Sequence, residues 1–168
     1  MFKLKKSDKS MVESVTLILK EEHIHFQTLE DNENRTIIDY DVDTQQGIVR
    51  VAIDIDKIDF VLYSMAILTI KIPIHKRCVV GEYINRINWK SIRGRFVLDM
   101  EDGEIRYLCS LWYDEKKPTS ESVLRNNLYF SYNMLVYFMP SILEITYSNI
   151  EPKDMICKMY EEVDFKSN

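Results

Sequence analysis

Residues 79–114 constrain the fold of this chain more than any other stretch. Val80, Ile84 and Ile87 recur at i, i+4 and i+7 with Tyr83 beside them, which lines one face of a helix with apolar side chains. Gly94 interrupts that periodicity. Phe96, Leu98 and Met100 then alternate with Val97 and Asp99 at period two, the spacing of a half-buried strand. Glu101-Asp102-Gly103 is a tight-turn signal, because glycine takes positive φ without steric cost. Ile105, Tyr107, Cys109, Leu111 and Tyr113 carry the alternation back. A helix and a hairpin with one apolar face each must bury those faces against one another.

The flanking segments extend the pattern. Ser10 to Glu13 fits a capping box that opens a helix ending near Glu22. Strands are expected over residues 25–29, 35–42, 48–55 and 58–67, joined by polar turns of only a few residues, which favours an antiparallel meander. Pro73 suits the start of the central helix, and Asn85 and Asn88 suit its C-terminal capping. Thr119 is the expected cap of a third helix, which Pro140 should bend or restart. Pro152 should open a short last helix. The fold expected is α+β, an antiparallel sheet with helices packed mainly on one side. The order is α-ββββ-α-ββ-α-α, in one domain spanning residues 1–168.

Composition narrows the class. Apolar residues make up 46% and charged residues 29%, as in an ordinary globule, and four Gly and four Pro argue against a long linker. A net charge of −5 disfavours a general nucleic-acid binder, which needs a basic stripe, and disfavours an anionic membrane surface. Cys78, Cys109 and Cys157 are odd in number and form no C-x-x-C, so they read as reduced thiols of a cytoplasmic protein. The N-terminal residues have a positive start but no apolar core behind it, unlike a signal peptide. The longest apolar run, residues 60–72, is too short to span a bilayer.

Ile84 to Trp89, Gly94, Phe96, Leu98, Asp99 and Gly103 to Tyr107 together resemble the YbjN family of bacterial sensory transduction regulators. The stretch from Leu135 to Ile145 is similar to that family's closing helix. The resemblance covers roughly residues 70–148 and rests on packing and turn residues. It implies a fold like that of the type III secretion chaperones. It also implies a non-enzymatic, chaperone-like module with a regulatory role that binds a segment of a protein or peptide client, and a homodimer. The competing reading is a small-molecule sensor with a pocket between sheet and helices.

Candidate chemistry is sparse. His23 and His25 lie two apart, but no third metal ligand follows at a recognisable spacing. Asp39, Asp41 and Asp43, then Asp54 and Asp56, resemble paired carboxylates; the first three alternate like a calcium loop, yet Thr44 stands where glycine is needed, and alternating Asp more simply marks the solvated face of a strand and blunts its edge. His75 and Cys78 share a predicted helix face without any independent sign of an oxyanion hole. Neither an enzyme, a metal nor a cofactor is therefore expected. One feature exceeds what a core requires. Tyr107, Trp112, Tyr129, Tyr132 and Met134 belong to an aromatic- and Met-rich second half, the composition of an adaptable binding surface. Trp112 alternates out of the Ile105–Tyr113 face and should point to the opposite side of the sheet.

Overall fold

The structure, a computed structural model, describes residues 10–166, with side chains as far as Met159. The expectation about the N-terminal residues lies outside the described residues. The elements are α1 (Met11–Glu21), β1 (Gln27–Asp31), β2 (Arg35–Thr44), β3 (Gly47–Asp56), β4 (Val61–Leu68), α2 (Arg77–Lys90), β5 (Arg95–Leu98), β6 (Ile105–Trp112), α3 (Glu121–Tyr147) and α4 (Pro152–Lys166). A 3-10 turn, Ile74–Lys76, precedes α2. This is the expected α+β order. The six strands form one antiparallel sheet in the order β1-β2-β3-β4-β6-β5.

Register decides which side chains meet the helices. Ile38 pairs with Ile53, Ile53 with Ser64, and Ser64 with Cys109. Side chains alternate, so Ile38, Tyr40, Val49, Val51, Ile53, Ile55, Leu62, Ala66, Leu68, Ile105, Tyr107 and Phe96 share one face, and all are buried. On that inner face they meet Val15, Ile18 and Leu19 of α1, Val80, Tyr83, Ile84 and Ile87 of α2, and Leu124, Leu128, Leu135 and Ile142 of α3. Two polar contacts tie the layers together. Ser64 Oγ lies 2.6 Å from Ser131 Oγ, and Tyr83 Oη donates to Ser141 Oγ at 2.6 Å.

The local signals work as expected at α1. Glu13 N donates to Ser10 Oγ at 3.2 Å while Ser10 N donates to Glu13 Oε2 at 2.8 Å, so both orphan donors are satisfied. The helix ends with Ile24 N donating to Leu19 O at 2.9 Å and His23 N donating to Lys20 O at 3.1 Å. That is a Schellman motif, and it places His23 at φ 56 rather than in a strand. The first strand therefore starts at Gln27, later than the expected His25. The fourth starts at Val61, because residues 57–60 form a turn in which Phe60 takes φ 54.

Other expectations need correction. Ser120, not Thr119, caps α3, its Oγ accepting from Val123 N. Pro140 does not restart α3; the helix runs unbroken from Glu121 to Tyr147 with the proline inside it. Pro140 is exposed, so its ring meets solvent rather than the core. Asn88 is not a left-handed cap. Its Nδ2 donates to Phe96 O at 2.9 Å and its Oδ1 accepts from Phe96 N at 2.8 Å. The side chain thus acts as a one-residue strand partner and closes the free edge of β5 against further pairing.

Candidate functional site

Among the described residues, no helix packs on the opposite face of the sheet. Its side chains follow from the same register. β2 contributes Ile37, Asp39, Asp41 and Asp43; β3 contributes Ile48, Arg50, Ala52 and Asp54; β4 contributes Tyr63, Met65 and Ile67; β6 contributes Arg106, Leu108, Ser110 and Trp112. β4 is the unusual strand. Leu62, Ser64, Ala66 and Leu68 face the helices, yet the outward Tyr63, Met65 and Ile67 are also large and apolar, and they are only half-buried. Met65 pairs with Leu108 of β6, so the stripe crosses two strands. Trp112 stands at its end, 72% exposed. The side of the sheet expected for Trp112 is the side on which it lies.

An electrostatic border flanks the stripe. Arg50 Nε donates to Asp39 Oδ2 at 2.9 Å, and Arg35 grips Asp54 with bonds of 2.7 Å and 2.6 Å. Asp39 is 3% exposed and Asp54 9%. The expectation that the alternating Asp residues form a solvated face therefore holds for Asp41 and Asp43 and fails for Asp39 and Asp54. β1 pairs with β2, so β2 is not an edge, and a buried carboxylate must be paired. Only Asp39 Oδ2 carries the pairing; Oδ1 is buried without a hydrogen-bond partner.

The remaining aromatic candidates separate. Tyr107 is a correction: it is fully buried, donates its hydroxyl to Arg93 O, and packs edge-on against Phe96 at 4.7 Å. Its parity with Ile105 and Cys109 puts it on the helix side, so it forms core rather than a binding surface. Tyr129, Tyr132 and Met134 on α3 are half-buried. Tyr129 and Tyr132 line a cavity of about 340 Å³ between α3 and β2, with His23, His25, Tyr40 and Asp41 among its walls. Burial pushes the Tyr40 phenol well above its ordinary value, and the neighbouring Tyr129 and Tyr132 push the same way. Met134 does not line that cavity.

The other candidates form no metal or catalytic cluster. His23 lies in the turn after α1 and His25 two residues on, both at the walls of that cavity, and among the described residues no group of three His, Cys, Asp or Glu is placed to hold a metal ion. His75 and Cys78 are both exposed. Cys109 is buried, and burial raises its thiol to about 11, which leaves little thiolate at neutral pH. A thiol titration of the native protein should therefore find Cys78 and Cys157 reacting fast and Cys109 only after denaturant is added. Equal rates for all three would place Cys109 outside the core.

Tyr63, Met65, Ile67 and Leu108 were not singled out from sequence. A signal existed: a strand of a one-sided sheet should alternate, whereas Val61–Leu68 is apolar at nearly every position. Among the described residues no helix is long and apolar enough to cross a membrane. No family model and no curated protein sequence matches the chain.

Proposed function

We propose that this protein is a non-enzymatic, chaperone-like binding module with a regulatory role, which lays a segment of a partner protein along the helix-free face of its sheet. One observation carries this reading. β4 is apolar on both faces although, among the described residues, helices pack on only one, and the half-buried stripe of Tyr63, Met65, Ile67 and Leu108 ends in a 72% exposed tryptophan. Isolated apolar residues on a surface need no explanation, but a contiguous stripe rimmed by charge marks an interaction site. Tryptophan dominates such contacts, because it buries a large rigid area at low entropic cost. The resemblance of residues 70–148 to the YbjN family, with its likeness to secretion chaperones, supports the same reading. It also supports a cytoplasmic setting and a homodimer, in which a second subunit occupies the same face.

The test uses partners captured on the immobilised chain from native extract, or the chain itself at rising concentration. Trp112→Ala should weaken the interaction by about 2 kcal/mol, roughly thirtyfold, with little change in melting temperature, since the side chain is already solvated. If Trp112→Ala instead unfolds the protein and the surviving fraction binds as before, the residue is structural and the reading is wrong.

A second reading has its own observation. The 340 Å³ cavity bounded by Tyr40, Tyr129 and Tyr132 is within the size range of small-molecule sites, and its walls combine aromatic rings with two imidazoles. Under that reading the protein is a sensor. A metabolite co-purifying with the chain and lost in Tyr132→Ala, with Trp112→Ala silent, would favour it.

A further inference from the structure

The two most exposed large apolar residues among the described residues do not belong to the sheet face. Ile92 is 98% exposed and Trp89 is 88% exposed, and they sit three positions apart at the junction of α2 and β5. The segment around them is unlike the rest of an acidic chain. From Tyr83 to Leu98 it carries Arg86, Lys90, Arg93 and Arg95 and no Asp or Glu, while the whole chain has a net charge of −5.

The protrusion is built rather than loose. Ser91 N donates to Asn88 O at 3.1 Å, and Ser91 Oγ donates to Gly94 O at 3.0 Å and Arg93 O at 3.2 Å. Tyr107 donates to the same Arg93 carbonyl, and Asn88 locks the helix end to Phe96. The Arg93 guanidinium lies 4.4 Å from the centre of the Phe130 ring. These bonds hold the loop at Ser91, Arg93 and Gly94, and Trp89 and Ile92 are still exposed to solvent. Arg86 is paired with Glu82, one helical turn back, which leaves it at the base of the prong.

We propose that this loop docks the protein on an anionic lipid surface, with Trp89 and Ile92 entering the headgroup region and the surrounding Lys and Arg side chains meeting the lipid phosphates. Tryptophan favours that interface because its ring is amphipathic, and basic side chains beside it add attraction to anionic lipid. Convexity favours a bilayer over a folded partner. Side chains this exposed have no flat surface around them to seal against a protein, whereas a soft interface closes around each one. A nucleic acid would gain nothing from Ile92. The net charge of −5, which taken alone disfavours an anionic membrane surface, does not cancel this local attraction, because fields from the far side of the molecule are screened within about 8–10 Å at physiological salt.

The experiment uses the full chain carrying Trp112→Phe, so that Trp89 is the only tryptophan. It is mixed with phosphatidylcholine vesicles with and without phosphatidylserine. The expected result is co-sedimentation with the anionic vesicles only, a blue shift of the Trp89 emission, and loss of both at high salt. Trp89→Ala with Ile92→Asp should lower vesicle affinity by at least tenfold without moving the melting temperature, and Lys90→Gln with Arg95→Gln should weaken it while leaving the fold intact. No sedimentation with anionic vesicles at low salt overturns the proposal, as does sedimentation that survives the Trp89/Ile92 pair of substitutions. Retention on polyglutamate without any vesicle binding overturns it as well, and assigns the prong to an acidic protein segment.

Discussion

Replacing Gly103 with valine should destabilise the protein by at least about 3 kcal/mol, seen as a lower denaturation midpoint with an unchanged slope. Two independent costs combine. Gly103 takes φ +83, where a β-branched residue is strained. Any Cβ there would also sit 2.2 Å from the carbonyl oxygen of Ile72. That oxygen cannot retreat cheaply. Ile72 is fully buried, its N–H donates to Gly103 O at 2.8 Å, and Arg77 Nε donates to the same Ile72 oxygen at 3.0 Å. Arg77 Nη1 meanwhile holds the carbonyls of Met100 and Glu101 at 3.0 Å and 2.9 Å. The hairpin turn is therefore docked onto the segment that follows β4. Gly47 supplies the control. It has φ +131 but no atom within 4 Å of its added Cβ, so Gly47→Ala should cost only the backbone contribution, about 1 kcal/mol. Equal losses at the two positions would mean that the docking contact at Gly103 contributes nothing.

Arg50→Ala should cost about 2–4 kcal/mol, although Arg50 is itself a half-exposed side chain. The loss does not come from the surface half of the pair. Asp39 lies beneath the outer face with 4% of its side chain accessible, and Arg50 supplies the bonds to Oδ2 while Oδ1 has none. Truncating the arginine leaves a buried carboxylate with no partner. The double variant Arg50→Ala with Asp39→Val should recover most of the lost stability, because it removes the charge together with its neutraliser. A double variant no more stable than Arg50→Ala alone would show that the carboxylate is solvated in solution. Lys71–Asp102, with both partners about half exposed, is the contrasting case, and its removal should change stability by about 0.5 kcal/mol or less.

These particulars show what the sequence carried and what it withheld. The hairpin of β5 and β6 was legible because period-two alternation and an Asp-Gly turn are local signals, and both are read within a dozen residues. The capping box at Ser10 was legible for the same reason. Asn88 was misread because its partner is the backbone of Phe96, eight residues on, and only the docking of α2 beside β5 brings them together. Asp39 and Asp54 were misread because alternation tells which face a residue takes but not what lies over it; Arg50 and Arg35, each reaching from the neighbouring strand, pair with them. Tyr107 is a different failure. Its parity with Ile105 and Cys109 already placed it inside, and counting it with the other aromatics hid that. Trp112 was legible from the same parity rule. The stripe of Met65 and Leu108 further along the same face was not, since which strand lies beside β6 follows from the sheet order, and that is set by tertiary packing.

The central claim is that the helix-free face of the sheet, and not the α3 surface, receives the partner. Hydroxyl-radical footprinting of the chain, free and in the complex it forms, tests that most directly. Trp112, Tyr63 and Met65 should be oxidised in the free chain and protected in the complex, while Tyr137, 52% exposed on α3, stays equally reactive in both. Protection that falls instead on Tyr132, Met134 and Tyr137, with Trp112 as reactive as before, would contradict the account and move the site to the helical side.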